Sequence, residues 1–224
     1  KEGERMLTFD QIEKDPEIRE YIKKSDEFLS EIGYTEHSFA HVKKVALDAG
    51  NILTTLGYDE HMVELAKMAG YIHDIGNMIN RVDHAHNGAI LAFTLLKERG
   101  MPPADLAMIA GAVGNHDEAT GLPISPVSAA LILADKSDVR RTRIRDLGNI
   151  TTDIHDRVNY AVTDSKLILD LVSKDVSLKL KVDVHVSSVM EYFEIFLGRM
   201  LMCKKAAEYF GFKFGLVINR QRLL

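Results

Sequence analysis

An apolar helix-like run in this chain ends on two ionisable residues. Leu65-Ala66-Lys67-Met68-Ala69-Gly70-Tyr71-Ile72 leads into His73-Asp74, and Ile75-Gly76 follows. An ionised carboxylate at a buried helix end costs on the order of several kcal/mol unless a metal or a charged partner answers it. The fold must therefore bring compensating groups to that point. Comparable apolar stretches adjoin His41, His84, His116 and Asp135. The economical reading is a bundle of helices with a metal site between them.

Helical spacing supports an inward direction for each candidate. His41 lies at the edge of a stripe near Val45 and Ile52. His73 continues Met62, Ala66 and Ala69, and His116 continues Leu106, Ile109 and Val113. His84 leads Gly88, Leu91 and Leu95, and Asp135 follows Ala130-Leu131-Ile132-Leu133-Ala134. Mixed imidazole and carboxylate ligation suits one or two divalent transition metals, iron or manganese ahead of nickel, zinc or cobalt. Asp74 has the chemistry to bridge two ions. Other histidines read differently. His37 is a surface residue or one behind the ligands, and His86 sits on the far side of its helix from His84. His61 is an exposed first-turn residue, His155-Asp156 a decoy of the earlier dipeptide, and His185 a residue on the wet face of a strand.

Organisation follows from the same periodicities. Helices are expected over residues 9–31, 36–57, 59–73, 84–99, 102–116 and 126–141, with Gly57, Gly76 and Gly100 as stops. After about residue 150 the pattern changes. Leu178, Leu180, Val182, Val184 and Val186 alternate with polar residues, as in a strand with one wet face. Residues 166–172 are its expected partner, 160–163 a further short strand, 188–210 a long helix and 212–219 a last strand. The expected fold is mainly α: a helical metal-binding domain over residues 1–148, then a small α+β extension over 149–224.

Composition narrows the function. The 224 residues carry a net charge of −5, which argues against a nucleic-acid backbone as partner. Cys203 is the sole cysteine, so no intrachain disulfide forms and a cysteine zinc site is not expected. No apolar run approaches the roughly 18 residues of a membrane span, and no apolar signal region follows Lys1-Glu2-Gly3-Glu4-Arg5. The expectation is a soluble cytoplasmic protein without a membrane partner.

The ordered set His41, His73-Asp74-Ile75-Gly76, His84-x-x-x-Gly88, His116 and Ala134-Asp135-x-x-Asp138 resembles the HD-domain superfamily of metal-dependent phosphohydrolases, over about residues 35–141. The resemblance implies an all-helical core holding one or two divalent metals. His41, His73, Asp74 and Asp135 match the basic metal set. His84 and His116 match the positions that complete a dinuclear centre, with Asp74 bridging. The chain is distantly similar to the HD-GYP phosphodiesterases, with departures. Asn77 stands where that group has lysine, Asn115-His116-Asp117 replaces His-His-Glu, and Gly121-Leu122-Pro123 replaces Gly-Tyr-Pro.

The activity implied is hydrolysis of a phosphomonoester or phosphodiester, a nucleotide among the candidates, by a metal-bound hydroxide, with Asp74 central. Lys44, one turn after His41, is the candidate to hold a phosphate oxygen, with Lys136 behind it. Specificity falls to loops 77–83 and 117–125 and to the extension. Two other classes compete: a regulatory module that binds metal or nucleotide without turnover, and a partner-binding protein that forms a homo-oligomer through residues 188–210 and the amphipathic strand.

Overall fold

The stretch expected as one helix over residues 9–31 is two, because Pro16 has no N–H to continue the first. The computed structural model describes residues 7–34, 36–144 and 154–224. In it α1 (Phe9–Lys14) ends at Asp15, whose backbone is extended, and α2 (Pro16–Glu31) begins at once. Proline favours that extended conformation in the residue before it. Asp15 then caps α2, accepting from the Glu17 and Ile18 amides. Arg99 adds a fork to the same carboxylate, at 2.7 Å from Nε and 3.0 Å from Nη2. These bonds, Arg99 foremost, hold the Asp15 carboxyl below its usual range. Its stabilising contribution is therefore complete above the unfolded carboxylate pKa and is lost as pH falls toward the lower folded value. Asp15→Ala should cost about 2 kcal/mol in urea unfolding at neutral pH, and the gap to wild type should shrink in acid. A pH-independent gap would contradict this account of the cap.

The remaining helices start where the sequence supplies caps. Ser38 caps α3 (Phe39–Thr55) and Asp59 caps α4 (Glu60–Ile72). A short 3-10 turn over Ile75–Met78 connects α4 toward α5 (His84–Glu98), and α6 (Pro103–Gly114) follows. Ser125 caps α7 (Pro126–Ser137), in which every residue from Val127 to Ser137 is buried. That helix runs through the centre, touching α3, α4 and α6 on its way. It stops at Ser137, short of the expected 141, because Asp138 leaves helical geometry to bind His41 and Arg140.

Helix α8 (Ile154–Ala161) runs directly into β1 (Val162–Asp170), so residues 160–163 are a junction and not a separate strand. The hairpin of β1 with β2 (Asp175–Val182) is the pairing expected for residues 166–172. Strand β2 ends at Val182 because 183–187 turn back on the Asp183 carbonyl. Ser188 caps α9 (Val189–Tyr209), which crosses to β3 (Lys213–Ile218) parallel to β2, and β4 (Gln221–Arg222) closes the order β1-β2-β3-β4. Leu178 pairs with Leu216 and Leu180 with Ile218, all four buried.

Helix α9 touches both β3 and α7, and its Phe196, Met200, Cys203 and Ala207 join the same buried cluster as the helical core. Ser165 of β1 also bonds the Ser137 carbonyl at 2.8 Å. The extension is thus packed onto the central helix. The expected boundary at 148/149 lies outside the described residues. Among the described residues, no helix is long and apolar enough to cross a membrane.

Candidate metal centre

Six side chains expected to face inward do so, and they meet. His41 comes from the first turn of α3, His73 and Asp74 from the end of α4, His84 from the start of α5, His116 from just beyond α6, and Asp135 from the last turn of α7. All six are buried. The 3-10 turn holds two of these helix ends together. A Cβ on Gly76 would lie 2.0 Å from the His84 carbonyl oxygen and 2.4 Å from the Gly88 amide nitrogen. Gly70 permits a similar approach of α4 to α3, since a Cβ there would lie 2.7 Å from the Ala46 Cα.

The hydrogen bonds fix which nitrogen each imidazole offers. His73 Nδ1 donates to the Gly70 carbonyl (2.8 Å), His116 Nδ1 to the Val113 carbonyl (2.6 Å), and His84 Nδ1 to the Arg81 carbonyl (3.2 Å). A carbonyl only accepts, so Nδ1 carries the proton and Nε2 turns to the centre. His41 Nδ1 is held by the Asp138 carboxylate at 2.8 Å. Asp138 in turn takes the Arg140 guanidinium. Burial works against its charge, but His41 and Arg140 outweigh burial and keep the carboxyl ionised well below its usual range. This is the arrangement that orients metal-binding histidines in general.

The two oxygens of Asp74 face different partners. Oδ2 lies 3.1 Å from His73 Nε2 and 3.7 Å from His41 Nε2. Oδ1 lies 3.6 Å from His84 Nε2 and 3.7 Å from His116 Nε2. Asp135 Oδ1 adds to the first group, 3.4 Å from His41 Nε2 and 3.6 Å from His73 Nε2. Despite these approaches, the Nε2 atoms of His41 and His73 are buried without a hydrogen bond of acceptable geometry. Such atoms are costly unless a cation meets them.

Electrostatics point the same way. Burial opposes a charged His73, yet Asp74 and Asp135 outweigh it and push the imidazole up to about 10. The carboxylates draw positive charge to this point, whether a proton or a metal ion. Burial also pushes the carboxyls of Asp74 and Asp135 up, but neighbouring positive charge, His73 beside Asp74 and Lys136 beside Asp135, holds both well below the ordinary range. His84 goes the other way: burial is the main cause that pushes it down to about 4, so it is neutral at pH 7. His84 Nε2 and His116 Nε2 face each other at 3.2 Å with both Nδ1 atoms committed elsewhere. Two facing lone pairs at that distance repel, and a cation between them and Asp74 Oδ1 removes the repulsion. The donor set therefore fits divalent metal. Three overlapping triads can hold an ion: His41, His73 and Asp74; His73, His116 and Asp135; Asp74, His84 and His116.

Lys44 is not among the groups brought together, and its expected phosphate role is corrected. Three residues on from His41, it is rotated off the inward face, pairs with Asp48 and lines a groove of about 520 Å³ between α3 and β1. That groove contains none of the six clustered residues. Lys136 is the lysine at the centre. It is buried, 2.8 Å from Asp135 Oδ2 and 2.7 Å from Glu118 Oε2.

Beside the cluster lies a cavity of about 360 Å³, in the usual range for small-ligand sites. His37, Arg81 and Glu118 line it from the helical core, and Asn159, Phe196 and Arg199 from α8 and α9. His37 is buried, with Nε2 4.0 Å from Asp74 Oδ2, so it is no surface residue. His155 and Asp156 lie outside the three triads but line the same cavity. His86 pairs with Asp83, His61 with Asp105, and His185 is exposed, all away from the centre. Glu118 and Arg199 escaped the sequence reading. Glu118 follows the His116 motif directly, and that adjacency was its only signal. Arg199 sits on a long helix with no motif.

Residues 38–140 match the HD domain family model. An uncharacterized protein of Methanocaldococcus jannaschii is 24% identical over 198 residues, covering 75% of this chain and 76% of its own length. The crystal structure of a predicted HD superfamily hydrolase from an uncultured Thermotogales bacterium is 26% identical, with a TM-score of 0.45, and the match covers 58% of this chain and 73% of that one.

Proposed function

We propose that this chain, whose residues 38–140 form an HD domain, is a phosphohydrolase with a dinuclear metal centre. The observation that carries the reading is the division of Asp74, with one oxygen toward His41 and His73 and the other toward His84 and His116. His41, His73, Asp74 and Asp135 would hold one ion; His84, His116 and the other oxygen of Asp74 would hold the second. Iron or manganese suits this mixed set best. Bound divalent ions supply Lewis acidity, drawing charge from a phosphoryl group and making water acidic enough to lose a proton near neutrality.

The chain's own residues do the rest. Asp138 and the carbonyls of Gly70, Arg81 and Val113 engage the four Nδ1 atoms and so aim each Nε2 at the centre. Asn77 spends its amide on the Asp74 carbonyl and Oδ1, at 2.9 and 3.1 Å, and thereby fixes the bridging carboxylate. The asparagine that stands where the HD-GYP group has lysine thus faces Asp74. Lys136 holds the second oxygen of Asp135, which leaves Oδ1 for the centre. The substrate is a small phosphorylated compound, nucleotides included. A cytoplasmic setting belongs to the same reading, since the sole cysteine is a buried free thiol.

Release of phenolate from aryl phosphomonoesters and phosphodiesters, with manganese or iron added to the purified chain, tests the reading. Metal-dependent turnover of either supports it. Metal uptake with no turnover of any ester would make the domain a binding module.

A further inference from the structure

The cavity beside Asp74 receives a guanidinium from each of two walls. Arg81, in the loop before α5, donates from Nη1 to Asn77 Oδ1 at 3.4 Å, and Asn77 in turn binds Asp74. Its guanidinium carbon lies 5.4 Å from the Tyr34 ring centroid. Among the described residues no carboxylate pairs with it. Arg199, on α9, stacks on Phe196 at 4.9 Å and reaches Glu118 Oε1 at 3.5 Å. Glu118 is already answered by Lys136 at 2.7 Å. Lys136 and Arg199 thus answer the Glu118 carboxylate from two sides. Each arginine is thus linked by side chains to a different carboxylate of the metal cluster, Arg81 to Asp74 and Arg199 to Asp135.

Resting on the phosphohydrolase reading, we propose that Arg81 and Arg199 form a clamp for a doubly charged phosphoryl group. The substrate is then a phosphomonoester, and α9 of the extension is a specificity-determining wall of the site. Planar guanidiniums held on aromatic rings are suited to fork onto phosphoryl oxygens with little loss of freedom. A monoester dianion offers three terminal oxygens, enough for a metal cluster on one side and two guanidiniums on the other. A diester offers two terminal oxygens and one charge, and its second substituent would stand where the clamp closes. Ile195 and Phe196 line the cavity beside Arg199, which gives the alcohol portion an apolar surface.

The test is calorimetric titration of phenyl phosphate and of its methyl ester into the manganese-loaded chain and its Arg81→Ala and Arg199→Ala variants. A pH of about 8 keeps the monoester a dianion. Wild type should bind phenyl phosphate at least about tenfold tighter than the methyl ester. Each variant should lose about tenfold or more for the monoester and stay within about threefold for the diester. Arg81→Ala removes no carboxylate partner and so guards against a folding artefact in Arg199→Ala. Equal affinity for both esters, no binding of phenyl phosphate by wild type, or variants that weaken both esters alike would overturn the clamp. Failure of the hydrolase reading looks different: the preference and its loss in the variants would be intact, while p-nitrophenyl phosphate is not turned over.

Discussion

Asp74→Ala should lose metal and turnover together, with phosphate-ester hydrolysis falling about a thousandfold or more. Asp74 divides its two oxygens between the groups of histidines, Oδ2 lying near His41 and His73 and Oδ1 near His84 and His116. Its removal leaves each prospective ion short of an anionic ligand and removes half of the carboxylate charge. The turn itself should persist, because Asn77 keeps its bond to the residue 74 carbonyl in the variant. The measurement is turnover together with bound metal after gel filtration. Full metal occupancy with lost turnover would make Asp74 a catalytic group and not a ligand; unchanged turnover would place the reaction elsewhere.

Gly76→Ala should be the most damaging small change in the helical core. The added methyl would stand 2.0 Å from the His84 carbonyl oxygen and 2.4 Å from the Gly88 nitrogen, both backbone atoms that cannot swing aside. The clash must be relieved by separating the 3-10 turn from α5, at a cost of about 3 kcal/mol. The same movement draws His84 away from His116 and Asp74. A thermal midpoint lowered by several degrees, with metal affinity reduced even in the folded fraction, is the expected result. A variant as stable as wild type would mean that the turn and α5 do not lie as close as described.

Much of the cluster was legible in the sequence because its side chains lie at the ends of strongly periodic helices. Helical spacing alone carried His41, His73, His84, His116 and Asp135 inward, and the ordered motif added the relation of Asp74 to His84 and His116. Lys44 failed for a geometric reason. Three residues along a helix is a neighbouring but rotated position, and Asp48 one turn further on captured the ammonium. Asp138 stood in the motif without a role, since only tertiary structure brings it to His41 across 97 residues. Arg199 and the cavity wall were illegible because no local pattern says which face of α9 meets α7. The break at Asp15-Pro16 was readable in principle, since proline is a helix starter, but the amphipathic pattern ran smoothly across it. The strands of the extension announced themselves through alternation in β2, whereas the end of α8 and the start of β1 share similar residues and blurred their junction.

Metal content of the purified and reconstituted chain, set beside His84→Ala, tests the central claim most directly. The dinuclear account predicts about two divalent ions per chain, falling toward about one when His84 is lost, because His41, His73, Asp135 and one oxygen of Asp74 remain. A wild-type chain that takes up no metal under any reconstitution would contradict it, and so would a His84 variant that keeps its full complement.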